Sequence, residues 1–275
     1  RDLERQYYLE TEQGLLAVTD RGDTQLSGCL NDDNVLAWYG KAIALLPRLG
    51  SVALELEPFD EAFMARENAI FPEWLLGHHL QLTLSAEEQG LLAETFACLT
   101  ESNLAQPQGV MHRDFHSRNL MVCGGDTPDD SQLAVIDFQD MVIGPLSYDL
   151  VSLLKDCYVR WPDAVIEQGM GHGFDTLSQA GLLGDLDYAA FRRYADLTGM
   201  QRHLKAAGLF TRLYHRDGKS GYLKDIPRTL GYVVDVCHQH GAEHPVLARF
   251  GDWLQRIVLP GLARAAEARR AGEPS

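Results

Sequence analysis

Two acidic motifs that lie close together constrain the folding of this chain more than any other feature. The first is the run Met111–Val122, which contains Asp114 and, five residues later, Asn119. The second is the apolar run Leu133–Ile136, which ends at Asp137. Apolar residues on both sides of the first motif would anchor a short loop in the core, and the second run has the pattern of a buried strand. We therefore expect the polar side chains to project from a fixed backbone towards one point.

The segment between the two motifs favours a tight connection. Residues Gly124–Asp130 are rich in Gly, Asp and Pro, which favour turns. The two motifs are thus predicted to form a β-hairpin with the acidic residues at its base. Either motif alone would be read as an ordinary hairpin strand with solvated acids, but the pair at hairpin spacing favours a functional site.

These residue types are typical of phosphoryl transfer. That reaction needs a carboxylate to orient and deprotonate the accepting hydroxyl, and oxygen ligands for the Mg²⁺ that neutralises the phosphates. Asp114 is placed for the first task, and Asn119 and Asp137 are placed for the second. The predicted cofactors are therefore ATP and Mg²⁺.

A known family shares these motifs. The chain resembles the aminoglycoside phosphotransferase and choline kinase branch of the protein-kinase-like fold in His112–Asn119, in Ile136–Phe138 and in Gly144–Leu150. Longer strings, such as VIDFQDMVIGPLSYDLVSLLKDCYVRWP and QRHLKAAGLFTRLYHRDGKSGYLKDIPRTLGY, are similar to bacterial cell-wall amino-sugar kinases. Those enzymes phosphorylate N-acetylmuramate and N-acetylglucosamine at the anomeric hydroxyl during peptidoglycan recycling.

The resemblance implies a role for several residues. Asp114 would be the catalytic base, Asn119 and Asp137 the magnesium ligands, and Asp149 a structural carboxylate that steadies the catalytic loop. Asp149 is also expected in the first turn of a helix, where it can accept hydrogen bonds from that loop. His112 and Arg113 would support the loop.

Four further residues are candidates for binding the acceptor sugar. Arg118, Arg202 and Arg212 can each receive a carboxylate or acetamido oxygen, although a charge cluster is usually a solvated face. Asp140 is either a carboxylate behind the metal ligands, a partner for sugar hydroxyls or a solvated turn residue.

The predicted fold is α+β and protein-kinase-like, and most of it is the helical C-terminal lobe. Residues 1–26 would be the remnant of the N-terminal lobe and the hinge, and residues 27–275 the helical lobe. Gly14–Asp23 resembles the last strand of the N-terminal lobe and the hinge, where Thr19 and Asp20 would meet the nucleotide.

The phosphate-covering loop and strand lysine of such a lobe do not appear, and the first lysine is Lys41. Either the rest of the lobe lies outside this sequence, or the natural chain lost it. As it stands, the chain is expected to bind ATP poorly.

Helical periodicity and capping signals predict most of the remaining structure. The predicted helices span 32–49, 60–76 with an interruption at Pro72, 85–99, a segment beginning near 148, 162–170, 187–206, 226–240 and 245–267.

Composition restricts the partners. The net charge of −15 argues against nucleic acid or an anionic membrane, but not against a nucleotide at a local site. No segment approaches the roughly 20 apolar residues of a membrane span, and the first residues lack the apolar core of a signal peptide. We expect a cytoplasmic monomer. Its five cysteines form no CxxC pair and are expected to be reduced, buried thiols.

Two rival functions remain open. The acceptor can be an aminoglycoside, choline or a related alcohol, and the acidic composition gives slight support to a cationic acceptor. A catalytically silent kinase-like binding module is the rival of a different class. The intact Asp114, Asn119 and Asp137 argue against it.

Overall fold

The computed structural model describes residues 6–10, 15–50 and 55–272, and the chain divides into two compact units. The first unit comprises residues 1–57, 107–156 and 161–192. The second comprises residues 58–106, 157–160 and 193–275. The boundary predicted between residues 26 and 27 stays a prediction.

The described strands form three antiparallel pairs, all in the first unit. They are β1 (Gln6–Glu10) with β2 (Leu15–Val18), β3 (Gln108–Met111) with β6 (Val142–Pro145), and β4 (Leu120–Gly124) with β5 (Ser131–Val135). The β4–β5 pair is the predicted hairpin, which is thereby confirmed. The strand predicted at the start of Gly14–Asp23 is confirmed at Leu15–Val18, whereas Gly14 lies outside the described residues.

Helices make up most of the rest. In chain order they are α1 (Val35–Ile43), α2 (Leu46–Leu49), α3 (Glu61–Ile70), α4 (Ala86–Ala105), α5 (Ser147–Leu154), α6 (Asp163–Gln179), α7 (Tyr188–Asp217), α8 (Ile226–His240), α9 (Pro245–Trp253) and α10 (Leu259–Gly272). Wider π-helical turns continue α3 through Phe71–His79 and join α9 to α10 through Leu254–Val258. The prediction of an α+β chain with mostly helices is confirmed. No described helix is long and apolar enough to cross a membrane.

Proline explains two departures from the predicted helices. The helix expected over 32–49 is split into α1 and α2, and Pro47 lies in the first turn of α2, where its missing N–H costs no hydrogen bond. The helix expected over 60–76 begins as predicted, with the Asp60 side chain accepting the N–H of Phe63 at 2.8 Å. Beyond Pro72 it does not stop but widens, and the N–H of Leu80 bonds to the carbonyl of Leu75.

Two other helices continue beyond their predicted ends. The helix expected to stop at Ala206 continues to Asp217, and a Cβ on Gly208 would lie 2.5 Å from the carbonyl oxygen of Ile70. The capping box of Ser85 and Glu88 is confirmed, but α4 continues to Ala105. The prediction for α8 is confirmed at both ends.

Close packing of α6 against α5 fixes the helix that carries Asp149. A Cβ on Gly169 or Gly173 of α6 would overlap the side chains of Leu154 and Leu150, respectively. The helix was expected to end at Met170 but continues to Gln179. Both glycines lie on its side that packs against α5. Every residue of α5 is buried, so its first turn is held from all sides.

Each unit buries its own large side chains. In the first unit Trp38, Tyr39, Phe115 and Tyr148 are fully buried, and the indole N–H of Trp161 donates to the Tyr39 hydroxyl at 2.9 Å. The second unit has a contiguous core of aromatic and aliphatic side chains from its helices, among them Phe71, Leu204, Leu230, Phe250 and Trp253.

The five cysteines are free thiols, as predicted. Only Cys157 and Cys237 are buried, however, and Cys29, Cys98 and Cys123 are half-buried. The prediction that all five are buried was therefore wrong for three of them.

Candidate active site

The loop between β3 and β4 carries Asp114 and Asn119, as the motif predicts. Its ends are held by Met111, which is 1% exposed, and by Leu120, which is fully buried. Phe115, within the loop, is fully buried as well. The loop closes with a 3-10 turn over Ser117–Asn119, directly before β4.

Asn119 connects the predicted base to the predicted metal ligand. Its Nδ2 donates to the backbone carbonyl of Asp114 at 3.0 Å and lies 3.3 Å from Oδ2 of Asp137. The N–H of Ile136 in turn bonds to the Asn119 carbonyl at 3.1 Å. The structure thus brings together the three residues that the sequence placed in one site.

Asp137 is held in a conformation that few residues adopt. Its φ is +64°, in the left-handed region that disfavours most side chains but that Asp and Asn tolerate. Gln139 donates to its Oδ1 at 2.7 Å, and the carboxylate is exposed. Unusual backbone conformations concentrate at functional sites, where the surrounding structure over-determines them.

Asp149 lies beneath the loop and holds its backbone. Its carboxylate accepts the N–H of His112 at 2.7 Å and the N–H of Arg113 at 3.0 Å. Arg113 has a φ of +75°, so these bonds fix a second left-handed residue. The hydrogen bonds expected of Asp149 are present, and its contribution to catalysis stays a prediction.

Burial raises the pKa of Asp149 above its ordinary value. Interaction with His112 and the two backbone N–H groups oppose that shift, and the nearby charge of Asp114 adds to it. The carboxylate is only 4% exposed, so its two oxygens depend on these protein donors rather than on water.

His112 and Arg113 bond to the segment that contains Asp137. Nε2 of His112 lies 2.9 Å from the carbonyl oxygen of Ile136, and because that oxygen only accepts, Nε2 carries the proton. Nδ1 of His112 is buried with no hydrogen-bond partner among the described residues. Nη1 of Arg113 donates to the Asp140 carbonyl at 3.3 Å. The side chain of Asp140 is exposed.

Sequence reasoning missed two supports of the site. Ser117 donates to the fully buried carboxylate of Asp156 at 2.9 Å and thereby holds the turn that presents Asn119. The two residues are 39 positions apart, so no local pattern links them. The second support is Gln139, which bonds to Asp137. Its position only two residues after Asp137 could have indicated this contact.

The predicted hinge lies beside the β4–β5 hairpin. Just beyond Thr19 and Asp20, the carbonyl of Thr24 accepts the N–H of Val122 in β4 at 2.8 Å. The Asp20 carboxylate accepts the N–H of Gly22 at 2.8 Å, so this side chain stabilises the turn that it begins. A role for Thr19 and Asp20 in nucleotide binding stays a prediction.

The predicted acceptor contacts are distributed over both units. Arg118 lies in the turn before Asn119 and is half-buried. Arg202 and Arg212 lie on α7 in the second unit. Nη1 of Arg202 contacts Cys157 Sγ at 3.5 Å, and Nε of Arg212 is buried with no hydrogen-bond partner among the described residues. Their roles in acceptor binding stay predictions.

The donor set at Asn119 and Asp137 fits a magnesium ion. Mg²⁺ prefers oxygen ligands and is commonly bound through one or two carboxylates together with substrate phosphates. The exposed Asp137 carboxylate and Asn119 Oδ1 provide oxygens of this kind, while Asn119 Nδ2 bonds to the Asp114 carbonyl and also lies near Asp137 Oδ2. The residues that the structure describes contain no group of three or more His, Cys, Asp or Glu side chains that could hold a metal ion by themselves.

Solved structures of other proteins share the fold of this chain. A solved structure of an ethanolamine kinase from Plasmodium vivax matches with a TM-score of 0.58 and 11% identity, over 86% of this chain and 67% of that chain. An ADP-bound aminoglycoside phosphotransferase matches with a TM-score of 0.51 and 13% identity, over 84% of this chain and 75% of that chain. At such identities the likeness shows the fold alone, which is protein-kinase-like.

Sequence comparison identifies the family within that fold. The phosphotransferase enzyme family model matches residues 5–194. An N-acetylmuramate/N-acetylglucosamine kinase from Pseudomonas putida is 36% identical over 250 residues, which are 90% of this chain and 71% of that protein. The chain therefore belongs to the phosphotransferase enzyme family, and the resemblance drawn from its motifs is confirmed.

Proposed function

We propose that this protein transfers the γ-phosphoryl group of ATP to the anomeric hydroxyl of N-acetylmuramate or N-acetylglucosamine. The observation that carries the proposal is Asn119, which connects the backbone of Asp114 to the carboxylate of Asp137. The likeness to a relative that is named for these two sugars supports the choice of acceptor. Peptidoglycan recycling is the proposed setting.

Asp114 would act on the acceptor hydroxyl. As the sugar oxygen bonds to the γ-phosphorus, the bond from that phosphorus to the bridging oxygen of ADP breaks, and the hydroxyl proton passes to the Asp114 carboxylate. An anomeric hydroxyl is more acidic than an ordinary alcohol because of the ring oxygen, so a weak base suffices. The loop anchors at Met111 and Phe115 would keep the carboxylate in place.

Asn119 and Asp137 would hold the magnesium ion. Bound there, Mg²⁺ neutralises charge on the nucleotide phosphates. Gln139 and the left-handed backbone at Asp137 aim the carboxylate, and Asp149 fixes the loop on the other side. Because these groups are already oriented, little reorganisation is needed when the nucleotide binds.

The hinge and the cations have proposed roles as well. At the hinge, the Asp20 side chain is bonded to Gly22, so the backbone of Thr19 and Asp20 is the part that we assign to the nucleotide base. Arg118 is assigned to the acceptor because it is the cation adjacent to Asn119 in the catalytic loop.

An acceptor panel tests the proposal. The protein is incubated with saturating ATP and Mg²⁺ and, separately, with N-acetylmuramate, N-acetylglucosamine and kanamycin, and the phosphorylated position is read by phosphorus NMR. A C1 phosphate on the acetylated sugars is the expected product. Phosphate on kanamycin alone would retain the three catalytic residues and overturn the acceptor. Tight ATP binding without transfer to any acceptor would instead favour the silent binding module.

A further inference from the structure

A cavity of about 500 Å³ lies wholly within the second unit and contains none of the residues predicted for phosphoryl transfer. It is bordered by the end of α7, the start of α8, α10 and the turn that follows the π-helical segment Phe71–His79. Its apolar walls are formed by leucine and proline side chains: Leu80, Leu82, Leu223, Pro227 and Leu262.

Two histidines meet at this cavity. Nδ1 of His79 lies 3.1 Å from Nε2 of His215, a distance at which one nitrogen donates its proton to the other. The ring of Tyr214 meets the His79 ring edge-on, with centroids 6.0 Å apart. The pair is therefore positioned by packing from α7 as well as by its own hydrogen bond.

The charged groups around the pair are positive. Arg264 and Arg269 border the cavity from α10, and His78 is close enough to His215 to affect its protonation. The cavity lining, all of it within the described part of the chain, includes no Asp or Glu. Asp217, at the end of α7, is bonded to Arg216 at 2.7 and 2.9 Å. A cationic lining of this kind is notable in a chain with a net charge of −15.

Burial and neighbouring cations disfavour protonation of both histidines. Burial is the largest cause that lowers the pKa of His79 to about 4, and electrostatic interaction with His215 and Arg269 lowers it further. Burial and His78 lower the pKa of His215 as well. A negative charge between these groups would reverse the electrostatic contribution and favour protonation.

The backbone at the rim is strained. Gln81 borders the cavity with a φ of +53°, in the left-handed region that favours glycine. Its strain has to be compensated by the surrounding structure, and unusual backbone conformations of this kind cluster at ligand sites.

We propose that this cavity binds a small organic anion, whose apolar body packs against the leucines and whose carboxylate or phosphate lies between the histidine pair and Arg269. Binding would draw a proton from solvent onto the His79–His215 pair, so that affinity rises as the pH falls. Apolar walls favour an organic anion over inorganic phosphate, because the latter would leave them exposed to water.

Benzoate and phenyl phosphate test the site, because they share an apolar ring and differ in the anionic group. Binding is measured by isothermal titration calorimetry in two buffers of different ionisation enthalpy, which counts the protons taken up. We expect at least one of the two to bind with net proton uptake, and benzoate, whose own charge is constant between pH 6 and pH 8, shows the pH effect of the protein alone. Comparison of the two identifies the preferred anionic group.

A matched pair of variants locates the binding. Arg269→Gln is expected to weaken binding about tenfold, whereas Arg270→Gln, which changes an exposed neighbour that does not line the cavity, is expected to leave it unchanged. His79→Gln should abolish the proton uptake, and urea unfolding establishes that each variant is folded. Equal affinities in the two arginine variants, binding without proton uptake, or no binding of either anion would overturn the proposal. Binding of Zn²⁺ in place of the anions would show a cation site and would overturn it too.

Discussion

The carboxylate of Asp149 accepts the backbone N–H of His112 at 2.7 Å and so joins the first turn of α5 to the start of the loop between β3 and β4. A second bond, from the N–H of Arg113, leaves both carboxylate oxygens engaged. The residue that supports the loop is thus part of a fully buried helix, and the position of Asp114 depends on the packing of α5.

Replacement of Asp149 should therefore affect stability and activity together. Asp149→Ala leaves two buried N–H groups without an acceptor, and an unsatisfied buried donor costs about 1–3 kcal/mol. We expect the free energy of unfolding to fall by about 2–4 kcal/mol in urea titrations. Asp140→Ala is the control, because its exposed side chain has no part in the Arg113 contact with its carbonyl. Equal stability of the two variants would contradict the structural role of Asp149.

The proposed role of Asp114 as the catalytic base can be tested separately. Asp114→Asn preserves the shape of the side chain but removes its ability to take the acceptor proton. We expect kcat to fall by about 10²- to 10⁴-fold, with the affinity for ATP measured by calorimetry little changed. Turnover close to that of the unaltered protein would rule out Asp114 as the base.

The centre of the candidate site could be predicted from sequence because its residues are close together along the chain. Asp114 and Asn119 are five residues apart, and Asp137 follows an apolar strand that pairs directly with the strand after Asn119. A turn-forming segment between the strands was enough to bring these residues together. The position of Asp149 could also be predicted from sequence, because an acidic residue in the first turn of a helix is a recognisable pattern.

The remaining supports depend on contacts that no local pattern encodes. Ser117 and Asp156 are brought together by the tertiary fold. The left-handed backbone at Arg113 and Asp137 could not be predicted, because neither position is a glycine, the residue that usually indicates this conformation. The helix predicted to end at Ala206 continues to Asp217, and the small size of Gly208 allows the close approach of Ile70 to α7.

Two glycines on α6 provide a matched test of the close packing of α6 against α5. A Cβ on Gly173 would overlap Leu150 of α5, whereas a Cβ on Gly171 would meet nothing within 4 Å. Gly173→Ala is expected to destabilise the protein by about 1–3 kcal/mol through overpacking. Gly171→Ala is expected to stabilise it by up to about 1 kcal/mol, because alanine has the higher helix propensity. Chemical denaturation measures both, and the same sign in the two variants would contradict the packing of α6 against α5.

Acid should weaken the fold through His79. Its pKa is lowered from 6.5 in the unfolded chain to about 4 in the folded protein, first by burial and then by positive neighbours. As the pH falls below 6.5 the unfolded chain gains a proton that the folded protein does not, so stability declines until about pH 4. His79→Gln should flatten the dependence of unfolding free energy on pH between 4 and 6.5. The same change at the exposed His238 should leave that dependence in place.

The proposed magnesium ligand is best tested with a substitution that the backbone accepts. Asp137 has a φ of +64°, so Asp137→Ala would add backbone strain, whereas Asp137→Asn keeps a residue type that tolerates this conformation and removes only the charge. We expect the affinity for Mg-ATP to fall at least about tenfold, which corresponds to about 1.4 kcal/mol, and more Mg²⁺ to be required for half-maximal activity. Gln139→Ala removes the 2.7 Å hydrogen bond but retains the carboxylate, so its effect should be smaller. Unchanged magnesium dependence in Asp137→Asn would show that this carboxylate does not bind the metal.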